Sequence, residues 1–256
     1  SHLRGDSDNN LKNGTEKNLI IWNGKPLIDW TTNNPTLALL SSESPLVKIS
    51  RFEIFLGTIN NIPIFARDLT DWVDPHISEP TDSFIDDTKN HHPFAKPNNL
   101  FCELRNIIGQ LSENDSYISA LGKNLIQWHK TNSYCSSCGT KSLIIKSGWE
   151  RKCPKCERTH FPRTDPVVIM LITRGNHTLL GRASNWPKKM YSCLAGFIEP
   201  GETINQAVKR ETLEEVGVKV KKIKFRTDQP WPFPSSLMIG CSAETNQIKL
   251  KIDQTE

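Results

Sequence analysis

Three glutamates, Glu211, Glu214 and Glu215, stand at i, i+3 and i+4. On a helix they share one face, within an arc of about 100°. Carboxylates this close raise one another's pKa unless something positive sits among them. A hard divalent cation resolves the repulsion, because Mg2+ prefers oxygen ligands and bridges carboxylates to phosphate oxygens. Arg210 can brace the carboxylates from the side. Three glutamates alone would read as a solvated acidic helix face, which is common. What precedes them changes that reading: Gly196, five residues, Glu202, seven residues, Arg210-Glu211, then Glu214-Glu215-x-Gly217.

Four cysteines form a second constellation: Cys135-x-x-Cys138, fourteen residues, then Cys153-x-x-Cys156. Each pair suits a tight knuckle, so four thiolates can converge tetrahedrally on one Zn2+. Gly139 and Pro154 fit such turns. A redox pair is the competing reading of one C-x-x-C, and the second pair argues against it. A four-cysteine site has no open ligand position, so its zinc holds structure and does no chemistry. Such ribbons also occur in nucleic-acid-binding proteins.

The third constellation is Gln229-Pro230-Trp231-Pro232-Phe233-Pro234-Ser235-Ser236. Three prolines stiffen the backbone and fix the directions of Trp231 and Phe233. Two outcomes are equally compatible with this: rings walling a base-stacking pocket, or a proline-rich loop with its aromatics tucked into the core.

These residues need elements to hold them. Thr203 with Gln206 makes a capping-box start and Gly217 a left-handed stop, predicting a helix over about Thr203 to Val216. Strands are expected at Val167 to Thr173, near Thr178 to Gly181 after a turn at Gly175-Asn176, near Val218 to Arg226, and at Leu237 to Ala243. Between them runs a glycine-rich approach to the helix. Upstream, Phe52 to Leu56 and Ile62 to Ala66 read as strands. Residues 78–99, with Pro80, Pro93 and Pro97, read as an exposed loop. Ser116 to His129 reads as a helix presenting Ile118, Leu121, Leu125 and Trp128. The polar residues 1–18 read as a disordered tail. The expected domains are therefore 19–130, the cysteine module 131–161, and 162–256.

Composition sets outer bounds. The chain has 256 residues, 36% hydrophobic and 23% charged, enough for two or three small domains with proper cores. Its net charge of +4 is mild, and the densest basic run, Lys219-Val220-Lys221-Lys222, reads as a solvated strand edge. The longest apolar run, Val167 to Ile172, falls far short of the ~20 residues that a membrane span needs. Seven cysteines, four of them in paired C-x-x-C spacing, point to metal binding in a reducing compartment. The opening Ser1-His2-Leu3 has neither an initiating Met nor a signal-peptide pattern, and a processed, cloned or incomplete N-terminus is expected.

The Gly196–Gly217 pattern matches the Nudix box, departing only at Thr212, where an aliphatic residue is usual. Residues 229–236 resemble the SQPWPFP-x-S signature, with Asp228 for its leading Ser. Together with the ribbon and Gln127-Trp128-His129, they make the chain similar to the NADH pyrophosphatase (NAD diphosphatase) family of Nudix hydrolases. That resemblance implies an α/β/α Nudix sandwich, α+β overall, preceded by a zinc ribbon and a mixed α/β N-terminal domain. It implies hydrolysis of the pyrophosphate of NADH or NAD+ to nicotinamide mononucleotide and AMP, and the same cut at the NAD cap of RNA. Glu211 and Glu215 would hold Mg2+ or Mn2+ with the Ala195 carbonyl, and Glu214 would be a further ligand or proton acceptor. Glu202 would support the loop through Arg210. A further family metal ligand falls by counting at Glu256. Gln229 to Ser236 would line the dinucleotide pocket, and Phe161 and Phe197 would offer rings to the bases. Phe161 replaces a usual Tyr and so lacks its hydroxyl. A homodimer is also implied; the cytoplasm is the default location, and some members of the family reach peroxisomes. Family members continue with a strand and a closing helix, so a C-terminally truncated, less stable and inactive piece is expected. Competing readings are a Nudix hydrolase for ADP-ribose or dinucleoside polyphosphates, and a non-catalytic zinc-ribbon nucleic-acid binder.

Overall fold

The computed structural model describes residues 14–75, 86–183 and 186–252. Contacts divide the chain into two compact units, Ser1–Arg163 and Thr164–Glu256.

The first unit is built on a seven-stranded sheet of β1 (Lys17–Trp22), β2 (Lys25–Asp29), β3 (Thr36–Leu37), β4 (Arg51–Ile59), β5 (Ile62–Asp68), β6 (Lys89–Asn90) and β7 (Asn99–Cys102). The order is β4-β5-β1-β2-β7-β6, with β3 beside β2. β1 and β5 run parallel; the other pairs are antiparallel. Leu19 to Trp22 are buried without alternation because both faces of β1 are covered. Ile20 and Trp22 pack with Leu46 and Val47 of the short helix α1 (Pro45–Ile49) and with Phe101. A short helix α2 (Leu104–Ile107) leads to α3 (Glu113–Thr131), capped by the Ser112 hydroxyl. On α3, Gly122 touches Leu19, Ile21 and Ala66; a Cβ there would lie 3.1 Å from Ile21 Cδ1. Side-chain bulk at that position would lever the helix off the sheet.

Two expectations change here. Residues 1–13 lie outside the described residues, but Lys17 and Asn18, placed in the tail, open β1, and Asn18 is wholly buried. Within the expected loop, residues 78–85 lie outside the described residues, whereas Asn90, His92 and Asn99 are buried. Tertiary partners explain Asn90 and His92, while Asn99 is buried as the first residue of β7. Buried Lys25 bonds Thr88 (2.6 Å), Asn90 (3.3 Å) and Asp86 (2.6 Å). Asn90 in turn donates to Asp74 (3.0 Å), and His92 packs on Trp72 with centroids 4.5 Å apart.

The cysteine module closes this unit as a three-stranded sheet of β8 (Leu143–Ile145), β9 (Glu150–Lys152) and β10 (Thr159–His160), with β9 central.

The second unit holds β11 (Asp165–Arg174), β12 (His177–Leu179), β13 (Leu194–Phe197), α4 (Ile204–Val216), β14 (Lys221–Trp231) and β15 (Ser236–Glu244). β11 lies centrally, parallel to β15 and antiparallel to β12 and β13, and β14 forms the far edge. Val168, Met170 and Ile172 of β11 share a core with Leu194, Cys241 and Ala243 and with Ala207, Val208 and Val216 of α4. Burying each such large aliphatic is worth about 1.5–3 kcal/mol. That core fixes which face of α4 turns outward.

Candidate active site and zinc centre

Local chemistry sets the ends of α4. Thr203 caps its start in a reciprocal capping box with Gln206, and Gly217 stops it at φ 68°. The buried Thr212 hydroxyl donates to the Val208 carbonyl (2.7 Å), so a polar residue stands where an aliphatic one was expected without leaving an unpaired group.

The carboxylates gather around one guanidinium. Arg210 Nε and Nη2 grip both oxygens of Glu202 (2.7 and 2.9 Å), and Nη2 also donates to the Phe197 carbonyl (2.8 Å). Its Nη1 donates to Glu211 (2.9 Å) and Glu214 (3.0 Å). Hydrogen bonds from Arg210, then the Glu199 N–H, hold the Glu202 carboxyl down to about 2. Glu202 in return, with Glu211 and Glu214, raises Arg210 well above the ordinary guanidinium range. The Glu211 side chain is 14% exposed and lies directly under Gly196, where a Cβ would come within 1.8 Å of its Cδ. Gly196 is there because any larger residue would fill the seat of the carboxylate. Glu215 is half-buried and Glu214 exposed. Three carboxylates on one guanidinium leave an excess of negative charge on this face of the helix, with Glu215 one turn beyond Glu211.

The sheet's other face brings different residues together. Side chains alternate across a strand, so those not facing α4 share the opposite face. Register places Phe197, Val167, Met238 and Gln229 in one transverse row across β13, β11, β15 and β14. Ala195, Ile169, Gly240 and Thr227 form the next row. Phe197 is 60% exposed there. The sequence singles out Phe197, Ala195 and Gln229 of these rows and not Val167, Ile169 or Met238, whose place follows from the alternation in β11 and β15.

The proline segment forms a hairpin end. Gln229, Pro230 and Trp231 finish β14, Trp231 pairs with Ser236, and residues 232–235 turn between them. Pro230 is tolerated because β14 is an edge strand. The Trp231 and Phe233 rings meet edge-on, with centroids 5.0 Å apart. Pro232 and Ser236 are buried, Trp231, Phe233 and Ser235 half-buried, and Gln229, Pro230 and Pro234 exposed. Ser235 Oγ donates to Asp165 (2.9 Å), and its carbonyl accepts the Asp165 N–H (2.9 Å). Asp165 thus pins the hairpin, a role nothing in its sequence context announced.

In the first unit, the four cysteine sulfurs lie within 4.8 Å of one another. Cys135 and Cys156 are 3.6 Å apart, Cys138 and Cys153 3.5 Å. A tetrahedron with Zn–S of about 2.3 Å has edges of about 3.8 Å, so the donors fit zinc. Thr140 hydrogen bonds hold the Cys138 thiol down to about 6. Phe161, just past β10, is 62% exposed and belongs to this unit, whereas Phe197 belongs to the other. Glu256 lies outside the described residues. No described helix is long and apolar enough to cross a membrane.

Three family models match in succession: an NADH pyrophosphatase-like rudimentary NUDIX domain (16–128), an NADH pyrophosphatase zinc ribbon domain (130–161) and a NUDIX domain (163–246). Human NAD-capped RNA hydrolase NUDT12 is 43% identical over 157 residues, covering 57% of this chain and 34% of that protein. Human mitochondrial NAD(P)H pyrophosphatase NUDT13 is 37% identical, covering 61% and 45%. Chromobacterium violaceum NAD-capped RNA hydrolase NudC is 42% identical, covering 49% and 48%. The chain thus spans between a third and half the length of these relatives. A Nudix hydrolase crystal structure from Nitrosomonas europaea superposes with a TM-score of 0.40 at 25% identity, covering 48% of this chain and 72% of that one.

Proposed function

Because the chain belongs to the NADH pyrophosphatase type of Nudix hydrolases, we propose that it hydrolyses the pyrophosphate of NADH or NAD+ to nicotinamide mononucleotide and AMP. One observation carries the reading: β13 places Gly196, the seat of Glu211, and Phe197 in consecutive positions on opposite faces of the strand. The carboxylate cluster and a ring able to stack on a base therefore flank the same strand, one residue apart along it.

Glu211 and Glu215, one helical turn apart, would hold Mg2+ or Mn2+ with the Ala195 carbonyl. When bound, such an ion neutralises pyrophosphate charge and stabilises the departing phosphate. The chain's own groups do the rest. Arg210 keeps Glu211 and Glu214 oriented while anchored to Glu202 and to the Phe197 carbonyl. A glutamate of the trio takes the proton of the attacking water as its oxygen bonds phosphorus and the bridging P–O bond breaks. Glu214, the exposed member, serves as that acceptor or as a further ligand. The Phe197–Gln229 row and the rings of Trp231 and Phe233 bind the base-bearing ends. NAD-capped RNA presents the same bond, and the names of two of the relatives support it as a second substrate. A homodimer is part of the same proposal.

The test is to incubate the full-length protein with NADH and Mg2+ or Mn2+ and to follow AMP by chromatography. Glu215→Gln should abolish release. Cleavage of ADP-ribose or dinucleoside polyphosphates in preference to NADH would overturn the substrate assignment; no cleavage of any of them would overturn the enzymatic one.

A further inference from the structure

Arg151, on β9, is 4% exposed, and every partner of its guanidinium is neutral. Nε donates to Ser142 Oγ (2.8 Å), Nη2 to the carbonyls of Ser142 (2.9 Å) and Ser133 (3.4 Å), and Nη1 to His129 Nδ1 (3.0 Å). His129 accepts from Arg151 through Nδ1, so its proton sits on Nε2, which donates to the Gly148 carbonyl (2.8 Å). Burial pushes His129 down to about 4 and keeps it uncharged. A buried cation with neutral partners is costly unless an anion stands nearby.

The anion is implied by what Arg151 spans. Cys153 lies two residues on, the spacing that keeps side chains on one face of an extended run. Ser133 and Ser142 flank the first knuckle and pair with each other through the Ser142 N–H (3.0 Å). Arg151 therefore ties both ends of the first knuckle to β9, the strand that runs into the second. Four thiolates against one Zn2+ leave two negative charges.

We propose that Arg151 is the buried counter-ion of the zinc–thiolate centre and, through His129, the bolt that fixes the ribbon to the end of α3. The hairpin beyond it is seated accordingly. Gly148 packs against Ile54, where a Cβ would come within 2.8 Å, and Trp149 Nε1 donates to the Phe55 carbonyl (2.6 Å). His160, the register partner of Arg151 on β10, immediately precedes Phe161. Arg151 is thus a positioning residue: charge at the zinc centre sets the hairpin that ends at Phe161.

Zinc release from the full-length protein to a chromogenic chelator, 4-(2-pyridylazo)resorcinol, tests this. Arg151→Met should release zinc roughly tenfold more readily, as loss of groups behind metal ligands typically does, while Arg151→Lys, which keeps the charge, should stay nearer the wild type. Wild-type retention by Arg151→Met, or equal loss in both variants, would overturn the counter-ion role. Hydrogen exchange of the unmutated protein gives an answer even where Arg151→Met does not fold. Stripping zinc should deprotect the amides of residues 127–131 and of Trp149; unchanged protection there would refute the coupling.

Discussion

Gly196→Ala isolates the placement of one carboxylate. The added Cβ would lie 1.8 Å from Glu211 Cδ and 2.0 and 2.2 Å from its oxygens. Carbon contacts settle at roughly 3.5–4.0 Å, so the carboxylate carbon must retreat by about 1.7–2.2 Å. The fold tolerates this, because the displaced atoms end a flexible side chain. The loss is one hydrogen bond between charged groups, worth about 1.5–3 kcal/mol. The chemistry does not tolerate it, since a misplacement of about 1 Å costs about 100-fold. We expect kcat for AMP release to fall at least about 100-fold, or about 2.7 kcal/mol of transition-state stabilisation, with Mn2+ affinity falling in parallel. Gly175→Ala is the matched control: its φ is +58° with nothing within 4 Å, so it adds backbone strain far from Glu211. It should lower the thermal midpoint while leaving kcat near wild type. Gly196→Ala turning over within tenfold of wild type would refute the idea that this glycine exists to seat Glu211.

Three further outcomes follow from the same geometry. Glu202, held at about 2 against an ordinary 4.5, contributes stability that is complete above pH 4.5 and lost as the pH falls through about 2; Glu202→Gln should remove that acid limb, and superimposable acid-unfolding curves would contradict the Arg210 clamp. Trp231→Ala removes a ring that meets Phe233 at 5.0 Å and should raise KM for NADH about tenfold with little change in kcat, as loss of one base stack does; an unchanged KM would place Trp231 outside the pocket. Asp165→Ala leaves Ser235 Oγ without its carboxylate acceptor and should cost about 1.5–3 kcal/mol, read as a lower thermal midpoint; an unaltered midpoint would show that the hairpin holds without this bond.

What could be read from the sequence was what is decided locally. Thr203, Gln206 and Gly217 act on backbone groups within a turn of themselves, so the ends of α4 followed from three residues. The two C-x-x-C knuckles are equally local. Asn90 and His92 lie buried against the expectation because their neighbours in sequence are those of a loop, whereas their partners Lys25, Asp74 and Trp72 are distant in the chain. Short-range polarity predicts exposure only when no distant group completes the hydrogen bonds.

Register is the other thing that local sequence does not state. Phe197 and Gln229 come into one row only because β15 returns parallel to β11 while β13 and β14 run antiparallel to their neighbours. A slip of one residue in β15 would turn Met238 toward α4 and Cys241 away from the core. The apolar set Val168, Met170, Ile172, Cys241 and Ala243 forbids that slip, because it would expose the surface that α4 covers. The core beneath α4 therefore sets the register of the opposite face, and substitutions in that core should alter NADH binding without touching the dinucleotide.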